Sequence, residues 1–428
     1  HTDAPARRRI DSTMLGTLAF MTDVLTPPQM WRWRLAIFAI FTSSGLSIAT
    51  WASRVPAIKT SLGVDNVEVG LMLLGAGIAS VVGLSSGQVI LARFGARRGM
   101  LTAIFIFATG VLVVGIGTDV FQSFPVVVVG LILFGLGNGS VDIMMNVEGA
   151  AIEKESGRTL LPLFHGFFSL GTVLGASVGF VASLWHVNVL VHTAVISALL
   201  VGVGILSIAN VPSRAIALDT PAHESKPHWR DRLHVALEAW REPRTYVIGV
   251  VMLGMSFAEG GANDWLTLAV VDGHDGSPAL GAAALAVLSS AMTVVRMFGG
   301  PLVDRFGRVA TLRVFAVAGA GGMLLFIQAP NVPLMFVGAA LWGAGVALAF
   351  PIGMSAAADD PAKAAARVSA AATIGYVAFL CGPPLLGVIS EGIGILNTLY
   401  ILVALVIISG FASGGVKPLP GSQVGRGR

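Results

Sequence analysis

The sequence predicts an all-α membrane protein with twelve transmembrane helices, arranged as two pseudo-symmetric six-helix bundles. Three observations lead to this prediction: a composition too apolar for a soluble domain, twelve apolar runs of membrane-spanning length, and a short motif that occurs twice. Of the 428 residues, 55% are hydrophobic and only 12% are charged. Soluble domains carry about 25% charged residues, so most of the surface of this protein is not adapted to water.

A transmembrane helix needs about 20 mostly apolar residues, and we number the twelve runs of that length as spans 1 to 12. They cover residues 33–55, 67–91, 100–118, 123–147, 162–184, 188–208, 244–270, 279–303, 310–328, 331–355, 367–390 and 394–413. The spans form an N-terminal bundle (33–208) and a C-terminal bundle (244–413). The remaining segments are an N-terminal tail (1–32), a connecting loop (209–243) and a C-terminal tail (414–428), and we expect all three to be cytoplasmic.

The distribution of positive charge predicts how the chain is oriented. All but three of the 27 Lys and Arg residues lie in the two tails or in the even-numbered loops. The exceptions are Arg54, Lys59 and Arg296. Cytoplasmic loops carry the excess of Lys and Arg, so we predict a multi-pass protein of the bacterial inner membrane with both termini in the cytoplasm. The positive charge is then explained by attraction of the basic loops to the surface of the lipid bilayer, and it does not indicate nucleic-acid binding.

A short motif repeats at matching places in the two bundles. Ala92-Arg93-Phe94-Gly95 follows span 2, and Asp304-Arg305-Phe306-Gly307 follows span 8, 212 positions later in the chain. Parallel repeats of six-helix halves occur in one major class of transporter folds. The repeat therefore predicts two related halves.

The second copy lies in the stretch 300–308, G-P-L-V-D-R-F-G-R, which resembles the loop motif G-x-L-x-D-R-x-G-R of major facilitator transporters. Other stretches make the chain similar to the MosC-like branch of bacterial permeases, which is related to sugar permeases: 52–59, 142–149, 164–171, 259–265, 375–376 and 382–384. The resemblance implies the major facilitator fold, a monomer, and transport of a small polar solute such as a sugar, polyol or cyclitol.

The resemblance also implies that Asp304, Arg305 and Arg308 belong to a charge network that latches the cytoplasmic side. In the first copy Ala92 stands where the motif has its acid, so the same role is not expected there. The alternative is that Arg305 and Arg308 only determine topology.

Ionisable residues inside the bilayer are costly and are usually functional. Three are candidates for proton coupling: Asp142 in span 4, His165 near the start of span 5, and Glu259 in the middle of span 7. Asn138, Asp142 and Asn146 share one helical face, because they are four residues apart. Asp142 and His165 should lie at similar depth, where they either share a proton or form a structural hydrogen bond between two helices.

Side chains near the membrane midplane are the candidates for solute binding, because substrates of transporters bind there. An indole ring can stack on a sugar, and an amide can bond to hydroxyl groups. The alternative for Trp265 is a place in the interfacial aromatic belt. The predicted binding residues are Trp51, Asn138, Glu259, Asn263, Trp265 and Tyr376.

The remaining charged residues are assigned to gates and a charge network. Arg296 lies in the cytoplasmic third of span 8 and needs an anionic partner. Asp142, Glu148 or Asp304 could supply it. Arg54, at the outer end of span 1, either snorkels to the interface, acts in an outer gate or meets an anionic solute. The predicted gate residues are Arg54, Glu148, Arg296, Asp304, Arg305 and Arg308.

No Walker loop, metal-binding cluster or nucleophile motif occurs in the sequence, so we predict no enzyme activity, catalytic residue, metal or cofactor. We predict a proton-coupled symporter of a small polar solute. The alternatives are a proton-driven exporter of drugs or metabolites and a sensor that binds without transport.

Gly171, Gly175 and Gly179 predict close helix packing in span 5. Ala176 stands where drug antiporters often have Pro, which disfavours export.

Overall fold

The computed structural model describes residues 26–157, 160–212, 238–360 and 363–419, with every side chain in these ranges except those of Ala365 and Tyr376. The described chain is helical and contains no strand. We call the part up to residue 212 the first half and the part from residue 238 the second half. The basic side is the side on which the first helix begins, where the Lys- and Arg-rich turns lie, and the other is the opposite side.

The described part of the first half contains six helices. They are α1 Pro27–Ala52, α2 Val55–Leu62, α3 Asn66–Asp119, α4 Phe124–Ser156, α5 Leu161–Leu184 and α6 Val189–Ile208.

The described second half begins with α7 Pro243–Leu268, which continues into a π-helical turn, Ala269–Gly273. The helices that follow are α8 Pro278–Phe298, α9 Gly300–Phe306, α10 Arg308–Ile327, α11 Val332–Val346, α12 Ala349–Ala357, α13 Ala364–Ile393 and α14 Ile395–Ala412, and a short 3₁₀ turn closes the chain at Ser413–Val416.

Short polar side chains set several helix starts. The Asp65 carboxylate accepts the Glu68 N–H at 2.8 Å, and the Glu68 carboxylate accepts the Asp65 N–H at 3.0 Å. This reciprocal capping box satisfies two N–H groups that the first turn of α3 leaves free. Asn188 and Asn331 accept the N–H three residues ahead at the starts of α6 and α11. These caps explain why helices begin directly after polar turns on the opposite side.

The helix α3 contains two membrane crossings. Its 54 residues correspond to about 80 Å, more than twice the hydrocarbon thickness of about 30 Å. Gly95 interrupts it with φ 72° and ψ 169°, a conformation open mainly to glycine. The described residues contain 11 helices long and apolar enough to cross a membrane. Counted as two at Gly95, α3 brings this number to the twelve predicted.

The predicted repeat is visible in the backbone. Gly307, between α9 and α10, has φ 79° and ψ 159°, close to the values of Gly95. The two glycines occupy the last position of the two motif copies. Each half therefore makes the same non-helical turn at the same point on the basic side.

The three glycines predicted to pack closely line the contact between α5 and α1. A Cβ on Gly171 would collide with the Thr42 carbonyl, one on Gly179 would collide with Ser53, and one on Gly175 would lie 2.5 Å from the Leu46 oxygen. Small residues let membrane helices approach until backbones touch. The prediction of a close-packing stripe is confirmed.

Candidate functional site

An ion pair near the middle of the protein joins α7 to α8. Arg296 Nη2 lies 2.7 Å from Glu259 Oε1. From Nη1 the same guanidinium donates a 3.4 Å hydrogen bond to Ser169 Oγ on α5. Because Ser169 belongs to the first half, Arg296 bridges the two halves. The side chains of Arg296 and Glu259 are 21% and 15% exposed, so neither is fully buried within the protein.

This geometry corrects one prediction. Arg296 has an anionic partner, as expected, but the partner is Glu259 and not Asp142, Glu148 or Asp304.

A third contact of Arg296 depends on a proline. Its Nε donates to the Ala347 carbonyl at 3.2 Å, in the break between α11 and α12. In a continuous helix this carbonyl would accept the N–H four residues ahead, but that residue is Pro351, which has none. The carbonyl is thus free to accept from Arg296. Sequence reasoning missed this contact, although the proline inside span 10 was its signal.

The predicted residues Asn138, Asp142 and Asn146 form their described hydrogen bonds within the first half. Ser44 Oγ on α1 donates to Asn138 Oδ1 on α4 at 2.7 Å. The Asn146 amide donates to the backbone carbonyl of Asp142 at 2.8 Å and lies 3.5 Å from its carboxylate. Asn138 therefore sits at the contact between α1 and α4, and Asp142 has an amide neighbour on its own helix.

The predicted proton pair is not joined by a hydrogen bond among the residues that the structure describes. The His165 ring meets Phe41 edge-on at 5.3 Å, and it lies close enough to Arg296 to interact electrostatically. Shared protonation of Asp142 and His165 stays a prediction.

The two predicted tryptophans are buried. Trp51 is 6% exposed and meets Phe134 edge-on at 5.9 Å, within the first half. Trp265 is 1% exposed and packs beside Gly387 of α13. In the conformation described, neither ring has a face open to a solute, whereas Asn263 is partly exposed. The side chain of Tyr376, also predicted to bind, lies outside what the structure describes.

The comparisons with known proteins agree on one family. The sequence profile of the Major Facilitator Superfamily matches residues 35–383 and, a second time, residues 276–425. The chain belongs to the Major Facilitator Superfamily. Its members are transporters and not enzymes, as predicted.

Two curated relatives extend over most of the chain. An uncharacterized MFS-type transporter of Yersinia pestis is 30% identical over 385 residues, 89% of this chain and 93% of the relative. The membrane protein MosC of Rhizobium meliloti is 23% identical over 384 residues, 89% of this chain and 90% of that protein. The predicted resemblance to MosC is confirmed.

Solved structures show the same fold. The nucleoside transporter NupG, as a point mutant, superimposes with a TM-score of 0.72 at 14% identity, covering 91% of this chain and 99% of that chain. The Escherichia coli fucose:proton symporter FucP, also as a point mutant, gives 0.61 at 14% identity, covering 90% and 98%. At such low identity the likeness establishes the major facilitator fold alone.

The charge network of this major facilitator protein on the basic side is centred on Asp359. Its fully buried carboxylate lies 2.7 Å from both Arg308 Nη1 and Arg244 Nη2. Arg308 also donates to Ser355 at 2.7 Å. Asp304, the acid of the family motif, is exposed. The partner of Arg308 is therefore Asp359, and an Asp-Asp-Pro sequence directly after span 10 was its overlooked signal.

A second cluster lies beside the first. Glu242 bonds to Arg367 at 2.6 Å and to Lys363 at 3.1 Å. The hydrogen bond from Arg367 lowers the pKa of the Glu242 carboxyl below its usual value. Arg305, also predicted to be part of the network, is exposed and lies over the Phe306 ring at 5.5 Å. The contacts of Asp359 and Glu242 join residues of the second half to one another.

Two other predicted gate residues are buried in the first half. Arg54 is 5% exposed and donates to Ser183 Oγ at 3.1 Å and to the Val187 carbonyl at 2.5 Å. In this conformation the Arg54 side chain ties the end of α1 to the end of α5, and its role in an outer gate stays a prediction. Glu148 is fully buried and accepts the Trp33 indole N–H at 2.9 Å.

The two halves are bonded together on the opposite side. Lys59 Nζ lies 2.5 Å from Asp272 Oδ2, and Glu391 Oε1 accepts the Asn66 N–H at 2.7 Å. A third bond runs from Thr267 Oγ1 to the Ala52 carbonyl at 3.2 Å. We call these three contacts the outer seal.

Tight packing reinforces the outer seal. A Cβ on Gly70 of α3 would lie 2.9 Å from Pro383 O and Pro384 Cα of α13, and one on Gly387 would lie 2.5 Å from the Asn66 oxygen. Together the bonds and the backbone contacts hold the halves closed on the opposite side.

We expect the double variant Lys59→Ala/Glu391→Ala to loosen the outer seal, because it removes two of the three bonds. Partly exposed pairs contribute about 1 kcal/mol or less, so the open population should rise about fivefold. A cysteine at Asn263, in a Cys381→Ser background, would report this as faster labelling by an impermeant maleimide from the opposite side. Glu68→Gln, on the same side but bonded within α3, is the control. Equal labelling rates in the double variant and the control would contradict the prediction.

Proposed function

We propose that this protein is a proton-coupled symporter that moves a small polar solute across the bacterial inner membrane by alternating access. The observation that carries the proposal is the Glu259–Arg296 pair, bonded to Ser169 of the other half. We take the basic side as cytoplasmic because of the positive charge in its loops.

The pair supplies a way to couple a proton to movement. Protonation of Glu259 removes the charge that holds Arg296, so the guanidinium is released to a new partner. Because Arg296 also contacts Ser169 across the halves, a change at Glu259 reaches the contact between the bundles. Two halves that rock around a midplane site produce alternating access.

Partly exposed polar groups in the two halves support a polar solute. Asn138 and Asn263 carry amides that can both donate to and accept from hydroxyl groups. Two of the similar structures are of transporters named for polar cargo, a nucleoside for NupG and fucose with a proton for FucP. Asp142 and His165 are proposed as further proton carriers, and Trp51 and Trp265 as side chains that meet the solute in another conformation.

The test is solute-driven proton movement in proteoliposomes that contain a pH-sensitive dye. The panel holds sugars, polyols, cyclitols, nucleosides, sugar acids, amino sugars and hydrophobic cations. We expect internal acidification with one polar solute, and at least a tenfold loss of that signal in Glu259→Gln, because the amide cannot carry the proton. Glu238→Gln, at an exposed glutamate on the basic side, should retain the signal.

Other outcomes would change the assignment. Alkalinisation driven by a hydrophobic cation would indicate proton-driven export. Binding of a polar solute without any flux would indicate a sensor. Full coupling in Glu259→Gln but loss in Asp142→Asn would move the proton site to α4.

A further inference from the structure

The contacts of Arg296 indicate which kind of group can replace Glu259 as its anionic partner. Its guanidinium bonds to the Ala347 carbonyl, the Ser169 hydroxyl and the Glu259 carboxylate. Only the carboxylate carries a charge. When a proton neutralises it, Arg296 keeps two neutral acceptors and has no ion-pair partner among the residues that the structure describes.

We infer that the transported solute carries a carboxylate, and that this carboxylate bonds to Arg296 in place of a protonated Glu259. The inference rests on the proposed function and names the substrate class of that site: hydroxylated organic acids such as sugar acids. Guanidinium N–H groups form strong charge-assisted hydrogen bonds to carboxylates, so a solute carboxylate can take the Nη2 bond that Glu259 now accepts and preserve the charge of the site.

The charge of the site before and after loading favours an acid over a neutral sugar. The empty site holds one negative and one positive group and is neutral. A proton and a carboxylate together add no net charge, whereas a proton with a neutral sugar leaves the guanidinium unbalanced. Occlusion of a net charge in a low-dielectric interior is unfavourable.

An amine-bearing solute fits less well. It would pair with Glu259 itself and leave Arg296 without a counter-ion. Other titratable groups on the neighbouring helices include Asp142 on α4, His165 on α5 and Asp264 further along α7. Among the described contacts Glu259 forms the ion pair with Arg296, and neither of the other two acids does.

Matched sets of compounds test the inference in proteoliposomes. Each set contains a neutral sugar, its amino sugar and its uronic acid: glucose, glucosamine and glucuronate, and the galactose series. We expect proton uptake with at least one acid, at least tenfold faster than with its neutral and amino partners. The rate should not change when a membrane potential is imposed with valinomycin and potassium, because a proton and a monoanion move together.

The outcomes separate the inference from the proposed function. Proton uptake driven by a neutral or amino sugar, and by no acid, overturns the inference but leaves symport standing. If no compound in the wider panel drives proton uptake, both the inference and the proposed function are contradicted. An acid whose uptake accelerates strongly with membrane potential also overturns the inference, because the stoichiometry would not be one proton for each carboxylate.

Variants of Glu259 and Arg296 test the inference through the pH dependence of binding and the preference for the acid. A purely structural role would change neither. Glu259→Gln mimics the protonated acid, so it should bind the active acid with an affinity independent of pH. In the wild type that affinity should fall up to tenfold per pH unit as Glu259 ionises. Arg296→Gln should lose the preference for the acid over its neutral partner, and Arg296→Lys should retain part of it. Arg98→Gln, at an exposed arginine on the basic side to which no role is assigned, is the control, and an unchanged acid preference in Arg296→Gln would refute the inference.

Discussion

Replacement of Asp359 with asparagine is expected to destabilise the protein by about 3–5 kcal/mol. The Asp359 carboxylate is fully buried and bonds to Arg244 and Arg308, each at 2.7 Å. Asparagine would leave both guanidinium groups without their anion and would turn an amide N–H₂ towards one of them. Removal of one partner of a buried ion pair is strongly destabilising because an uncompensated charge remains.

The family motif supplies the matched control. Asp304→Asn changes the acid that the motif would place in the network, but this side chain is exposed. Its effect should stay within about 0.5 kcal/mol. Thermal unfolding of the two purified variants in the same detergent measures the difference. If Asp304→Asn lowered the unfolding temperature more than Asp359→Asn, the assignment of Asp359 as the centre of the network would be wrong.

A valine at Gly175 is expected to push α5 away from α1 and to destabilise the fold by about 1–3 kcal/mol or more. Even a Cβ at this position would lie 2.5 Å from the Leu46 oxygen and 2.9 Å from the Ala49 side chain. The obstacle is largely backbone, which cannot turn aside as a flexible side chain can. Detergent-solubilised yield and the unfolding temperature should both fall.

The control for this variant is Gly202→Val on α6, where an added Cβ would meet no atom within 4 Å. Both changes remove one glycine from a membrane helix and add the same side chain. Valine at Gly202 should therefore leave the unfolding temperature nearly unchanged. Equal losses in the two variants would show that helix propensity matters here and that the contact between α1 and α5 does not.

Much of the fold could be predicted from the sequence because the bilayer restricts what a chain can do. Each crossing must be a long apolar helix, and this requirement located the spans, although α1 begins at Pro27 and not at 33, and α4 ends at Ser156 and not at 147. The motif copies marked the turns at Gly95 and Gly307, which have matching dihedral angles. The glycine spacing in span 5 indicated a packing face, since three small residues four apart lie on one side of a helix.

The partners in the site were harder to predict, because sequence gives the depth of a side chain but not its direction. Arg296 was placed nearer the basic side than Glu259, and their pairing depends on the reach of the long arginine side chain between α8 and α7. Asp142 and His165 were matched in depth, yet each contacts another residue. Trp265 was expected at the site or the interface, but α13 covers it.

The proline at position 351 leaves Arg296 a hydrogen-bond acceptor that does not depend on Glu259. Because Pro351 supplies no N–H to the Ala347 carbonyl, this carbonyl can accept from the Nε of Arg296 whether or not Glu259 is charged. The hydrogen bond at Nε therefore holds the guanidinium in position while Nη1 and Nη2 change partners. During repeated loading and release, the Arg296 guanidinium would keep its position. Each incoming solute carboxylate would then meet N–H donors that are already oriented.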